Sequence, residues 1–131
     1  MADPQRAIEL RNAAYKVHYR NAMEKLSEAI DDIPPGLPVD KSGLQRVVEQ
    51  LAVSNVWQIE SSLVALPPMT LAGCDHAIQT LLRAQSMLIA HRRPLDKWKR
   101  AVPGLLRQTA DALEAIIEAK KTMEEAYKLL G

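Results

Sequence analysis

Residues 104–130 read GLLRQTADALEAIIEAKKTMEEAYKLL, and this stretch decides the fold class. Its inward-facing positions recur at alternating spacings of three and four residues, which is typical of a helix packed in a bundle. These positions are Leu106, Thr109, Leu113, Ile116, Lys120, Met123, Tyr127 and Leu130. The stretch therefore predicts one long amphipathic helix over 104–130.

The first segment upstream has the same periodicity and clear signals at both ends. Asp3 is a suitable N-cap, and Pro4 fits the first helical position because an amide hydrogen is not needed there. Prolines 34 and 35 end the pattern because proline cannot donate to the helical hydrogen-bond ladder. The sequence predicts a first helix over about 4–33.

Two more periodic segments lie between these helices. The second covers about 42–66 and ends at a proline pair, and the third covers about 71–92 and ends before Pro94. We expect a short extra helical turn before the last helix. The inward positions of the third helix are predicted to be Leu71, Cys74, Ile78, Leu81, Leu82, Leu88 and Ile89.

These segments predict an all-α fold, with residues 1–131 forming a single four-helix antiparallel bundle of up-down-up-down order. Short connections leave neighbouring helices antiparallel, which favours this order. The apolar content of 47% is sufficient for one core in a chain of this length.

Charge and cysteine content narrow the possible partners. The chain has 17 basic and 16 acidic residues, so its formal net charge of +1 provides no overall attraction to nucleic acid or to an anionic membrane. Cys74 is its single cysteine and cannot form an internal disulfide. We expect a cytoplasmic protein that does not bind membranes.

The sequence lacks the residue patterns of common enzymes and metal sites. Histidines 18, 76 and 91 and the single cysteine lie on different segments, and no Glu is followed by His three residues later, as di-iron bundles require. We predict no enzymatic activity, no cofactor and no metal. One alternative remains, because the spacing of Arg11 and His18 matches the Arg/His pair of HEPN-type ribonucleases.

The predicted second helix carries apolar residues on the face opposite its core positions. Val53, Trp57 and Val64 fall on this face at spacings of four and seven. A tryptophan flanked by valines on a polar face is typical of the centre of a protein interface. The competing interpretation is a kink near Ser54-Asn55 that would turn these side chains inward.

A basic stretch between the third and fourth helices suggests a second kind of partner. A tryptophan among several cations can combine phosphate binding with base stacking. The opposing interpretation is that Asp31, Asp32 and Asp40 neutralise this corner. The candidate polyanion-binding residues are Arg92, Arg93, Lys97, Trp98, Lys99 and Arg100.

Four polar residues are predicted at similar heights near the middle of the bundle, namely Asn12, Tyr15, Asn55 and Lys120. Such a polar layer usually fixes the register of the helices. Two alternatives are that Lys120 extends to the surface or that it holds a small anion.

Taken as a whole, the sequence favours a protein-binding or adaptor module that binds a protein partner, which can be a second copy of itself. The proposed anchors are Val53, Trp57 and Val64. Polyanion binding by the basic corner is the alternative, and a HEPN-like ribonuclease is the third interpretation.

Overall fold

The computed structural model describes residues 3–34, 36, 41–53, 59–60, 63–64, 70–95, 100 and 102–131. The all-α class predicted from the sequence is confirmed. The helices are α1 (Pro4–Ala13), a π-helical segment (Ala14–Tyr19), α2 (Arg20–Asp31), α3 (Lys41–Val53), α4 (Leu71–Leu95) and α5 (Pro103–Leu130). Two short strands, β1 (Ile59–Glu60) and β2 (Leu63–Val64), pair in antiparallel fashion.

The first helical segment is continuous from α1 to α2, and its start follows the sequence signals. Asp3 Oδ1 accepts a hydrogen bond from the Arg6 amide at 3.1 Å, and Pro4 is the first helical residue. The π-helical segment was not predicted. Its i→i+5 hydrogen bonds widen the turn, and both of its tyrosines, Tyr15 and Tyr19, are buried with ring centroids 5.0 Å apart.

The second helix is shorter than predicted. α3 begins at Lys41 and ends at Val53, and the strand pairs Ile59–Val64 and Glu60–Leu63 follow it. The predicted continuation to Leu66 is therefore wrong. Ile59 and Val64 are β-branched, and such residues favour strands, so their place in a helical pattern did not decide the structure of this segment.

The third helix is longer than predicted because α4 continues through Pro94 to Leu95. A proline in the last turn removes one amide donor without ending the helix at the preceding residue. Its start is as expected, since Thr70 Oγ1 accepts a hydrogen bond from the Gly73 amide at 3.0 Å. Most of the predicted extra turn before α5 lies outside the described residues.

Contacts between helix ends show the relative directions of the helices. The Asp3 amide donates to the Leu129 carbonyl at 2.9 Å, and Gln108 Nε2 donates to Asp32 Oδ2 at 2.7 Å. The first helical segment and α5 are therefore antiparallel. Leu71, at the start of α4, packs against Gly131 after the end of α5, so these two helices are antiparallel as well.

α3 packs against α2 and α4. Gly43 in its first turn lies against the imidazole of His91 in the last turns of α4, in space that a β-carbon would occupy. A glycine here allows the two helices to approach closely. The complete up-down-up-down order stays a prediction, because most of residues 54–69 lie outside the described residues.

The core lies between α5, α4, α3 and the first helical segment. Many of its buried residues are alanines, which let helix backbones approach one another. The largest fully buried side chains are Tyr15, Tyr19, Leu26, Leu44, Val47, Leu81, Leu88, Leu105, Ile116 and Met123.

Candidate interaction surface

The most distinctive surface feature is an apolar line along α4. Leu71, Ile78, Leu82 and Ile89 are spaced by seven, four and seven residues, so they lie within about 20° of one line along a helix of 3.6 residues per turn. Three of these side chains are 40–43% exposed: Leu71, Leu82 and Ile89. Ile78 is half-buried and packs against the edge of the core. We call these four residues the α4 stripe.

The sequence placed the α4 stripe in the core, and for its three exposed members this prediction is wrong. Cys74, Leu81 and Leu88 are fully buried, and helical geometry places them some 60–100° around the helix from the stripe. The buried arc of α4 continues from those residues through Ala77 and Ala84 to Thr80, so the stripe lies beyond one edge of the arc. The spacing of apolar residues predicts a broad apolar arc on α4. Which part of that arc is buried depends on the helices that pack against it.

The stripe lies on the α5 side of α4. Leu71 packs against Gly131 at the end of α5, whereas His91, on the other side of α4, packs against α3. Tyr127, in the last turns of α5, was predicted to face inward but is 39% exposed. Among the described residues, the stripe and Tyr127 supply four of the five large hydrophobic side chains that are exposed. The fifth is Val17 on the π-helical segment.

The residues predicted as interface anchors do not form the expected face. Val53 is the last residue of α3, Val64 belongs to β2, and Trp57 lies outside the described residues. Val64 lies in β2 and not in the helix that contains Val53, so these two residues do not share a helical face. The apolar surface that the structure describes is on α4 instead.

The basic corner is only partly within the described residues. Arg93 and Arg100 are exposed and Arg92 is half-buried, whereas Lys97, Trp98 and Lys99 lie outside. Exposed Arg107 lies in the first turns of α5, close along the chain.

The alternative, that acidic residues neutralise this corner, is not supported by any ion pair in the described part of the chain. Asp32 accepts a hydrogen bond from Gln108. The ion pairs among the described residues are Arg6–Glu9, Lys25–Glu28 and Lys120–Glu124. None of them joins the basic corner to Asp31 or Asp32. Asp40 lies outside the described residues.

The polar residues predicted near mid-bundle have different surroundings. Lys120 Nζ donates to Glu124 Oε1 at 2.9 Å on the same helix, and its side chain is 21% exposed. Asn12 Oδ1 accepts from Arg11 at 3.3 Å, and Tyr15 is buried. Asn55 lies outside the described residues, so a layer that includes it stays a prediction.

Arg11 and His18 have different environments. Arg11 interacts electrostatically with Cys74, whose thiol is buried. Burial raises the pKa of this thiol, and the charge of Arg11 offsets part of the rise. His18 instead lines a shallow groove of about 300 Å³ between the first helical segment and α5, opposite Asp111, Glu114 and Glu118.

The π-helical segment contributes to this separation. Two residues seven positions apart share one face of a regular α-helix, but the wider turn of a π-helix rotates the later residue away. Arg11 precedes the segment and His18 lies inside it. The ribonuclease pair suggested by this spacing stays a prediction, and the π-helical segment between the two residues departs from the regular helix on which it was based.

The described residues contain neither a metal-binding cluster nor a membrane-spanning helix. Within them, no three His, Cys, Asp or Glu side chains converge in a way that could hold a metal ion. None of the helices in this part of the chain has the length and apolar character needed to cross a membrane.

Comparison with known proteins gives no matching family model, no matching curated protein and no matching solved structure.

Proposed function

We propose that this chain is a non-enzymatic adaptor module that binds a protein partner through the face formed by α4 and the end of α5. One observation carries the proposal: most of the large apolar side chains exposed in the described residues lie together there. Large exposed apolar side chains grouped on neighbouring elements are a usual feature of protein-binding sites. The anchors are Leu71, Leu82 and Ile89, in place of those predicted from the sequence.

The arrangement suits recognition of another helix. Apolar residues spaced by seven, four and seven along an unbroken helix of 25 residues present a narrow, rigid surface. An amphipathic helix recognises such a surface by setting its own apolar residues at helical spacing against it. Because α4 is held by α3 and α5, binding requires little ordering of this element.

We also propose a cytoplasmic location, because the single cysteine, Cys74, is a buried free thiol. A reducing compartment keeps such thiols free.

Leu82→Asp tests the proposal. An aspartate in the middle of the stripe adds a charge that must be desolvated on binding, so proteins captured by the unmodified chain should be lost. Val17→Asp is the matched control because Val17 is exposed but lies on the π-helical segment. Equal capture by both variants, each checked for an unchanged helical circular-dichroism spectrum, would contradict the proposal.

Polyanion binding is the second candidate, favoured by the exposed arginines at one end of the bundle. Arg93, Arg100 and Arg107 are exposed near the junction of α4 and α5, and Asp32 is hydrogen-bonded to Gln108. Cations that bind phosphates release counterions, so affinity for a generic single-stranded DNA should fall steeply with salt. An Arg93→Glu/Arg107→Glu variant should abolish that binding, and absence of binding at low salt would eliminate this candidate.

A further inference from the structure

The α4 stripe is symmetric along the helix. Leu71 and Ile89 each lie nine residues from position 80, and Ile78 and Leu82 each lie two residues from it. At ~1.5 Å per residue the stripe is about 27 Å long. If the helix is turned end to end about position 80, the four stripe positions therefore coincide with themselves.

This symmetry is what a twofold homodimer requires, because such an interface uses the same patch on both copies. In an antiparallel pair of α4 helices, Leu71 meets Ile89 of the partner copy, and Ile78 meets Leu82 of the partner copy. Each stripe residue is thus covered by a side chain of similar size.

Two polar residues beside the stripe also favour the antiparallel pairing. Asp75 and Ser86 are both exposed and lie on the same flank of the stripe, five residues before and six residues after position 80. A twofold antiparallel pair brings like flanks together, so each Asp75 carboxylate can accept a hydrogen bond from the Ser86 hydroxyl of the other copy.

Charge also distinguishes the two possible directions. Asp75 is the only carboxylate in α4. A parallel pair would place the two Asp75 carboxylates at the same height along the contact, where they repel each other. An antiparallel pair separates them by ten residues, or about 15 Å along the helix.

We infer that the partner of the α4 stripe is a second copy of this chain, paired antiparallel about position 80. The inference rests on the proposed function and specifies its partner. A helix face about 27 Å long and ~10 Å wide offers roughly 300 Å² per copy, less than the ~800 Å² of a standard stable interface. We therefore expect the dimer to be weak and reversible.

Sedimentation equilibrium over a concentration series measures the assembly. The unmodified chain should rise from one toward two chain masses, and Leu82→Asp should weaken dimerisation at least tenfold. Val17→Asp should dimerise as the unmodified chain does. Ile89→Asp, at a position of similar exposure, replaces Leu82→Asp if that variant fails to fold.

Engineered disulfides test the register. In an Asp75→Cys/Ser86→Cys variant, the two thiols of one chain lie eleven residues or about 16 Å apart, too far for an internal disulfide. Across the antiparallel dimer they face each other, so mild oxidation should give a covalent dimer. Each single variant should give little cross-linking, and buried Cys74 should not compete.

Two outcomes overturn the inference: a chain that stays monomeric at millimolar concentration, or a double-cysteine variant that cross-links no faster than the single variants. If the chain is monomeric but Leu82→Asp still loses another captured protein, self-pairing is wrong and the proposed function stands. If Leu82→Asp changes neither assembly nor capture, both are wrong.

Discussion

α4 and α5 are the two longest helices in the described chain, and their apolar residues have similar spacings but different surroundings. Thr109, Ile116 and Met123 on α5 belong to the predicted inward positions, lie seven residues apart and are fully buried. Leu71, Leu82 and Ile89 on α4 recur just as regularly and remain about two-fifths exposed.

The difference has a geometric cause. α5 contacts the first helical segment and α4, and its apolar arc faces the interior between them. The apolar arc of α4 is wider than the part that α3 and α5 cover, so the α4 stripe at one edge of the arc stays exposed to solvent. Regular spacing thus reports which residues share a face, and the number and position of neighbouring helices decide which faces are buried.

The largest expected effect comes from truncating one residue on each helix. Ile116→Ala should lower the free energy of unfolding by about 2–5 kcal/mol, since it leaves a cavity among fully buried side chains. Leu82→Ala should lower it by less than about 1 kcal/mol, because much of that side chain is already in contact with water.

Urea denaturation of the two variants, fitted with a common slope, measures both changes. The experiment should be run at low protein concentration so that any dimer is dissociated. Similar losses in the two variants would break the comparison and show that Leu82 belongs to the core.

A second test concerns the buried tyrosines of the π-helical segment. Burial raises the pKa of Tyr19 to about 12 and raises the pKa of Tyr15 further above its ordinary value, with added contributions from Tyr19 and Cys74. Because these pKa values are raised on folding, the stabilisation is fully present below pH ~10 and is lost as the pH rises above it.

The slope of unfolding free energy between pH 10 and 12 should therefore be negative, with each phenol contributing up to about 1.4 kcal/mol per pH unit. Tyr19→Phe should remove one such contribution and leave the pH dependence between 6 and 8 unchanged. An unaltered slope in this variant would mean that the Tyr19 hydroxyl is hydrated in the folded protein.

The smallest expected effect concerns Lys120, which interrupts the apolar pattern of α5. Its ammonium reaches Glu124 at the surface, and a helical pair four residues apart contributes only about 0.3–0.5 kcal/mol. Lys120→Met should therefore change the melting temperature by no more than about 2–4 °C, with either sign.

Exposed Lys121 provides the control for this substitution as Lys121→Met. A large loss of stability confined to Lys120→Met would contradict a surface-directed lysine. It would favour instead the buried polar layer predicted from the sequence.

Local sequence signals predicted helix ends well where the signal is a capping side chain. The first helix begins as expected at Pro4, because the side-chain oxygen of Asp3 accepts a hydrogen bond from an amide of the first turn. Thr70 caps the start of α4 in the same way. Reasoning from periodicity failed in the second helix, since Ile59 and Val64 fit a helical spacing but are β-branched residues that also favour strands. It also failed at Pro94, because a proline weakens a last turn without having to end it.

The candidate surface was predicted less well than the fold. The sequence placed an interface on Val53, Trp57 and Val64 by assuming an unbroken helix, and that helix ends at Val53. The α4 stripe was visible in the sequence as apolar residues at regular spacing, but these had the same appearance as core positions. The symmetry of the stripe about position 80 acquires meaning only once its exposure is known.

The sequence by itself determined the all-α class, the last helix and the starts of the first and third, because periodicity, capping oxygens and prolines act within a few residues of the chain. Only the tertiary structure decided that Tyr15 and Tyr19 are buried in a π-helical segment, that Arg11 and His18 have different surroundings, and that three of the four α4 stripe residues are exposed. These outcomes depend on which helices pack together and how far each neighbour extends, and that information comes from contacts between residues far apart in sequence.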